Sequence, residues 1–223
     1  MLAIWFAHAR MIFGAGHWGG LLLVLSFAGL WPASGPDDLR FLRFVLGRLE
    51  WLAPIALLGL TQGLIIVRGR VDERWAASPM GLGRVFLQRW LLSAAYLLLC
   101  LCVLCCLVCV RASIPHWWRQ ALSSFVTAAF FAAVGSLVHH VAGSERAGWT
   151  VGMASLLAAV AVAGRWCPSD VAHQIWLPFL GQSAATAGLL VLNKLGYALA
   201  AGGLLAGSLR SLEVPEALLR KPD

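Results

Sequence analysis

Lys194 follows Asn193 in the middle of an apolar run, VLNKLGYALAAGG, and an ammonium group there is chemically conspicuous. Alone in hydrocarbon it costs about 2.5–3.5 kcal/mol on insertion scales, so it must face protein or water. Three readings stay open. Lys194 contacts an anionic group such as a propionate, carboxylate or phosphate. Or it pairs with a polar group on a neighbouring segment, such as Glu50, Gln62 or a backbone carbonyl. Or it snorkels toward an interface. A second polar step, Thr61-Gln62, lies inside another apolar run. Such side chains bond across helices, typically for about 0.6 kcal/mol each. Lys194, Gln62 and Thr61 are the candidate lining of a substrate path.

Two other groups of residues invite a chemical reading. Cys100, Cys102, Cys105, Cys106 and Cys109 crowd one apolar stretch, and four of them (102, 105, 106 and 109) share a helical face. No His, Asp or Glu stands in that stretch to complete a ligand set, so soft packing is the expected role and no metal site is assigned. The histidines (His8, His17, His116, His139, His140, His173) mostly fall at the ends of apolar runs. His116 opens HWWR, which reads as an interfacial aromatic belt with an arginine. The sequence contains no nucleophile elbow, no H-E-x-x-H and no paired acids on one face. It is therefore read as a non-enzyme.

The elements that must position these residues follow from composition. The chain is 60% hydrophobic and 12% charged, with mean hydropathy +0.80. A soluble domain carries roughly 25% charged residues. Six runs approach the length needed to cross a bilayer, at 12–31, 49–67, 90–110, 121–141, 149–164 and 185–207. They are continuous, without period-2 alternation, so each span is expected to be a helix that satisfies its own backbone. The fold class expected is an all-α polytopic membrane protein of six transmembrane helices. Residues 1–223 then form a single transmembrane domain. Residues 12–31 follow a weakly charged start and are too long for a signal-peptide core, so they read as the first span.

Basic residues set the orientation. With the N-terminus in the cytoplasm, that side receives Arg10, Arg68, Arg70, Arg74, Arg84, Arg89, Arg146, Arg210, Arg220 and Lys221. The opposite side receives the shorter set Arg40, Arg43, Arg48, Arg111, Arg119 and Arg165. The net charge of +7 is thus assigned to topology and to anionic lipid of the bilayer. No soluble basic face remains to bind nucleic acid.

Five of those arginines fall within residues 68–89, RGRVDERWAASPMGLGRVFLQR, between the second and third spans. Asp72 and Glu73 suit the positive end of a short helix that carries Val71 and Trp75 on one face. Ser78-Pro79 then breaks the chain and starts a new helix into span three. The segment reads either as a topology signal or as a handle by which a cytoplasmic motor grips the membrane domain.

On these residues the chain resembles the permease subunits of ABC-2-type ABC transporters. The family has six spans, a cytoplasmic N-terminus and an acidic-then-Ser/Thr-Pro pattern after span two. DERWAASPMGLGRVFLQRW reads that way, without the Gly-Thr pair of the family signature. Residues 130–160, FFAAVGSLVHHVAGSERAGWTVGMASLLAAV, resemble its fourth span, polar turn and fifth span. LWPASGPDDLRFLRFVLGRLEWLAPIALLGL, residues 30–60, with Pro32, Gly35, Pro36 and Trp51, is similar to the B-type permease family of the bacterial haem exporter used in cytochrome c maturation.

The resemblance implies an ABC-2-type permease fold in a multi-pass protein of the bacterial inner (plasma) membrane. It implies a coupling loop, 68–89, whose contacts to a cytoplasmic ABC ATPase are made by Val71, Asp72, Glu73, Arg74, Trp75, Ser78 and Pro79. The chain has no Walker A pattern, so ATP would be bound and hydrolysed on that separate subunit. No cofactor is expected on this chain itself. Haem would be a transported ligand, and the second permease half would be another copy or a haem-handling membrane partner. The residues RWCPSDVAHQIWLPFLGQS, 165–183, would sit near the exit of the path. Export of a peptide, drug or lipid-linked glycan is the alternative within the family. A membrane assembly protein or an intramembrane enzyme is the alternative outside it.

Overall fold

A computed structural model describes residues 36–62, 81–111, 117–165 and 187–213. They form five helices: α1 (Pro36–Gln62), α2 (Gly81–Arg111), α3 (Trp117–Ala142), α4 (Glu145–Arg165) and α5 (Ala187–Glu213). The described residues are all-helical, without strands. Three helical stretches, Gly83–Val110, Trp117–Ala142 and Gly188–Leu212, are long and apolar enough to cross a membrane. The chain is a helical membrane protein.

Five of the six apolar runs read from the sequence fall within or overlap these helices. The first, 12–31, lies outside the described residues. So do the coupling residues Val71 to Pro79 and most of the segment 165–183. Each of the five helices is longer than its apolar run, and α1 and α2 differ most at their starts. α1 starts at Pro36, where the fixed φ of proline suits a first helical position and Asp37-Asp38 follow at the positive end. Its charged first half is helical as well. α2 starts at Gly81, just after Ser78-Pro79, and continues unbroken to Arg111.

The turn between α3 and α4 is written in VAGSER. Gly143 takes φ +64°, the left-handed conformation that costs a glycine nothing. The Ser144 N–H then donates to the His139 carbonyl at 3.2 Å, the six-to-one bond of a Schellman motif. Ser144 also caps α4, its hydroxyl accepting from the Ala147 N–H at 3.4 Å, with Glu145 in the first turn.

The centre of the bundle is α3, which packs against α1, α2, α4 and α5. Apart from Phe131, its buried positions are small: Ala121, Ser123, Ser124, Thr127, Ala128, Ala129, Ala132, Ala133, Gly135 and Ser136. In lipid, helices associate through close packing rather than through a hydrophobic drive, so small residues on the shared helix let four neighbours approach. Large residues from α1 and α2, including Leu57, Trp90, Leu101 and Val108, fill the space that the α3 alanines leave. Cys105 and Cys109 lie in this core, and Cys102 packs against it. Outward positions such as Leu99, Val110, Leu157, Val191 and Leu199 are exposed and apolar, as expected of helix faces that meet lipid.

Two glycines mark the closest approaches. On α5, a Cβ added at Gly207 would meet the Leu137 side chain of α3 at 3.3 Å. On α4, a Cβ at Gly152 would stand 2.7 Å from Leu58 of α1 and 3.5 Å from the Gly135 backbone of α3. Leu58 is fully buried, so its side chain has little room to yield. Replacement G152V should therefore lower stability by about 1–3 kcal/mol, the usual cost of overpacking. Combining it with L58A should cost less than the two single losses added together, because the shorter side chain frees that space. Thermal unfolding of the four proteins in one detergent checks both statements.

Candidate functional site

The apolar bundle encloses one charged centre among the described residues. Glu50 is carried by α1 and Lys194 by α5, and their side chains meet with Nζ and Oε1 3.0 Å apart. Exposure of the two side chains is 1% for Glu50 and 11% for Lys194. Both belong to helices that pack on α3, and α3 supplies the remaining partners. The Lys194 ammonium also donates to the Thr127 hydroxyl at 2.8 Å. That hydroxyl donates in turn to the Ser123 carbonyl at 3.0 Å. The Ser123 hydroxyl donates to the same Glu50 oxygen that receives Lys194.

The local sequence explains why these four groups converge. Ser123 and Thr127 are four residues apart, so they stand on one face of α3, one turn from each other. Both are small enough for α1 and α5 to reach across that face. Pro54 lies four residues after Glu50 in α1 and removes the N–H that a helix would direct at the Glu50 carbonyl. The charged turn of α1 is thus also a turn where the helical ladder is altered.

The geometry gives each charge a charge-assisted partner and a hydroxyl, as burial of charge requires. Of the three readings open for Lys194, the pair with Glu50 is the one this conformation adopts. The other path residues are placed apart. Thr61 is buried, but its hydroxyl turns back to its own helix, donating to the Leu57 and Leu58 carbonyls at 2.8 and 3.3 Å. It stands about 16 Å along α1 from Glu50, at 1.5 Å per residue. Gln62 ends α1, and its side chain is outside the description. Ser123 and Thr127 were missed by the sequence reading. Their signal was present as two hydroxyls at helical spacing in ALSSFVTAAFF, but hydroxyls inside a span are ordinary and do not announce a partner.

Around the centre the remaining candidates have structural surroundings. His140 packs edge-on against Phe86, with ring centroids 4.7 Å apart, and against His139 at 5.3 Å. Cys100, Cys102, Cys105, Cys106 and Cys109 are free thiols. No group of three or more His, Cys, Asp or Glu side chains among the described residues is placed to hold a metal ion.

No family model, curated protein or solved structure matches the chain. The centre is therefore interpreted from its own geometry. An interior pair is costly to break from one side, because the surviving charge stays buried. Either E50Q or K194M alone should destabilise the bundle by about 3–5 kcal/mol. The double variant E50L/K194M, which leaves neither charge, should lie within about 1 kcal/mol of the parent or above it. Unfolding of the three variants, followed by loss of helical signal in detergent, distinguishes these outcomes.

Proposed function

We propose that this chain is the membrane-spanning permease subunit of an ATP-driven exporter of the ABC-2 type. On this reading it has six spans in the bacterial inner membrane and a cytoplasmic N-terminus, and a separate ATPase supplies the work. The observation that carries the reading is the buried Glu50–Lys194 pair inside the helix bundle. Ionisable groups at membrane depth are costly, and they mark transport paths and moving elements more often than inert packing. A bundle selected for stability alone would do as well with apolar residues there.

The helix boundaries support the same reading. α1 ends at Gln62 and α2 begins at Gly81, so the acidic-and-arginine segment joins two helices of the bundle. α2 then runs as one rigid rod from that segment to Arg111. A pull on Val71, Asp72, Glu73, Arg74, Trp75, Ser78 or Pro79 would pass directly into α1 and α2. ATP would act through such contacts by favouring one of two arrangements of the spans. Haem is the cargo that the resemblance to the haem-exporter permeases suggests. Its handling would call for a second membrane partner or a second copy of this chain.

Co-purification tests the reading. The chain is extracted in mild detergent as wild type, as E73R and as W75A, and bound proteins are identified by mass spectrometry. An ABC ATPase should accompany the wild type and fall to background in both variants while the membrane helices stay folded. Absence of any ATPase from the folded wild type would contradict the permease assignment. It would leave residues 68–89 as a topology signal.

A further inference from the structure

Several hydroxyls of the bundle, those of Thr61, Thr127, Ser155, Ser208 and Ser211, turn back and donate to carbonyls of their own helices. That is how a hydroxyl inside a dry helix packing is commonly satisfied. Ser93 on α2 and Ser136 on α3 behave differently. Both are 0% exposed, and neither hydroxyl has a hydrogen-bond partner among the described residues. The same holds for the indole N–H of Trp90, a residue that keeps 5% exposure. These three groups belong to one place in the fold. Residues 112–116 alone separate α2 from α3, so the two packed helices run antiparallel. Phe86 meets His140 across their seam. Trp90 lies one turn on from Phe86, and Ser136 one turn back from His140, so both steps lead about 6 Å in the same direction. Ser93 follows within the next turn of α2. At the near end of the row stand Gln88, His139 and His140, whose Oε1, Nδ1 and Nε2 atoms are also buried without a partner among the described residues.

We propose that this end of the α2–α3 seam is a water-binding site, in which ordered water joins the Trp90 N–H to the Ser93 and Ser136 hydroxyls and the His140 imidazole. A buried polar atom left bare costs free energy, and a row of them in one seam multiplies that cost. The chemistry of the row selects the ligand. The Trp90 indole only donates, the Gln88 Oε1 only accepts, and hydroxyls and neutral imidazoles do both. An anion would leave the acceptors bare, and a cation would leave the indole bare. Water donates and accepts at a single atom, and buried water typically holds about three such bonds. The seam also has an entrance. Gln88, His139 and His140 are partly exposed, and Val141 and Ala142 beyond them are exposed, whereas Trp90, Ser93 and Ser136 form a buried floor. Ser136 stands about 14 Å along α3 from Thr127, so the site is separate from the Glu50–Lys194 centre. It does not depend on the permease reading. Bound water yields where a direct bond would not, so the Gly81 end of α2 can shift on α3 without stranding a polar group.

The experiment uses the full chain in lipid bilayers, labelled with nitrogen-15 at its tryptophan indoles, and solid-state magnetic resonance. The Trp90 indole signal is assigned by its loss in W90F. Magnetisation passed from water protons to that indole at short mixing times reads hydration of the seam. The parent should show this transfer. S93A/S136A, which removes two of the site's partners and only shortens side chains, should show it about twofold weaker. S124A removes another buried hydroxyl without a described partner, about 18 Å along α3 from Ser136, and should leave the transfer unchanged. Absence of transfer to Trp90 in the folded parent overturns the proposal, because the indole is then dry or bonded to another part of the chain. Undiminished transfer in folded S93A/S136A overturns it, and so does an equal loss in S124A. Melting gives an independent sign. Removing a bare hydroxyl from a dry seam raises the melting temperature, whereas removing one that holds water lowers it. S136A should therefore melt below the parent, and melting above it contradicts a hydrated site.

Discussion

A charge inside a helix bundle must be answered by another charge, and Glu50 and Lys194 answer each other across α3. Their helices differ in sequence, yet the electrostatic constraint fixes the register of both at one point. Sliding α5 by a single residue along its axis would carry the ammonium about 1.5 Å and rotate it about a quarter turn away from the carboxylate. Apolar contacts along α5 tolerate such slippage far better, because methyl groups have no preferred partner. The pair therefore specifies one arrangement of the bundle more sharply than it stabilises it. That is the role for which buried polar groups are best attested.

The pair in turn depends on the smallness of α3. Alanines at 121, 128, 129, 132 and 133 and the hydroxyl residues at 123, 124 and 127 keep this helix thin where its neighbours converge. A large residue at 123 or 127 would hold α1 and α5 apart and remove the hydroxyl that completes the network. The same logic operates at the edges of the bundle, where Gly152 admits Leu58 and Gly207 admits Leu137. Close helix approach, charge pairing and the small residues at the crossing on the central helix are one structural solution. Its outer surface needs only to be apolar.

How much of this was legible in the sequence varies with the physics involved. Continuous apolar runs located the helices well, because hydrocarbon leaves the backbone few alternatives. VAGSER announced a short polar turn because its glycine and serine answer local needs. The start of α1 at Pro36 was harder to place. The charged residues 37–48 lower the apolar signal without opposing a helix, so hydropathy alone put the segment outside the span. Lys194 drew notice by its charge, and Glu50 was one of several partners it could have. Choosing among them needed the crossing of α1 and α5 on α3, a long-range fact that no local pattern encodes. Ser123 and Thr127 were missed for the same reason. Thr61, which resembled them in the sequence, bonds only to its own helix.

The central claim is that Glu50 and Lys194 are in direct contact within the membrane. The chain contains only two lysines, Lys194 and Lys221, so a lysine-selective nitrogen label gives two side-chain signals that one substitution, K221R, reduces to one. Dipolar recoupling between that Nζ and the carboxyl carbon of labelled glutamate, recorded by solid-state magnetic resonance in lipid bilayers, measures the contact itself. The account predicts a strong coupling, as expected for an Nζ–Oε1 separation of 3.0 Å, which disappears in E50Q. A bundle with intact helical signals and no coupling between Lys194 and any glutamate carboxylate would contradict it.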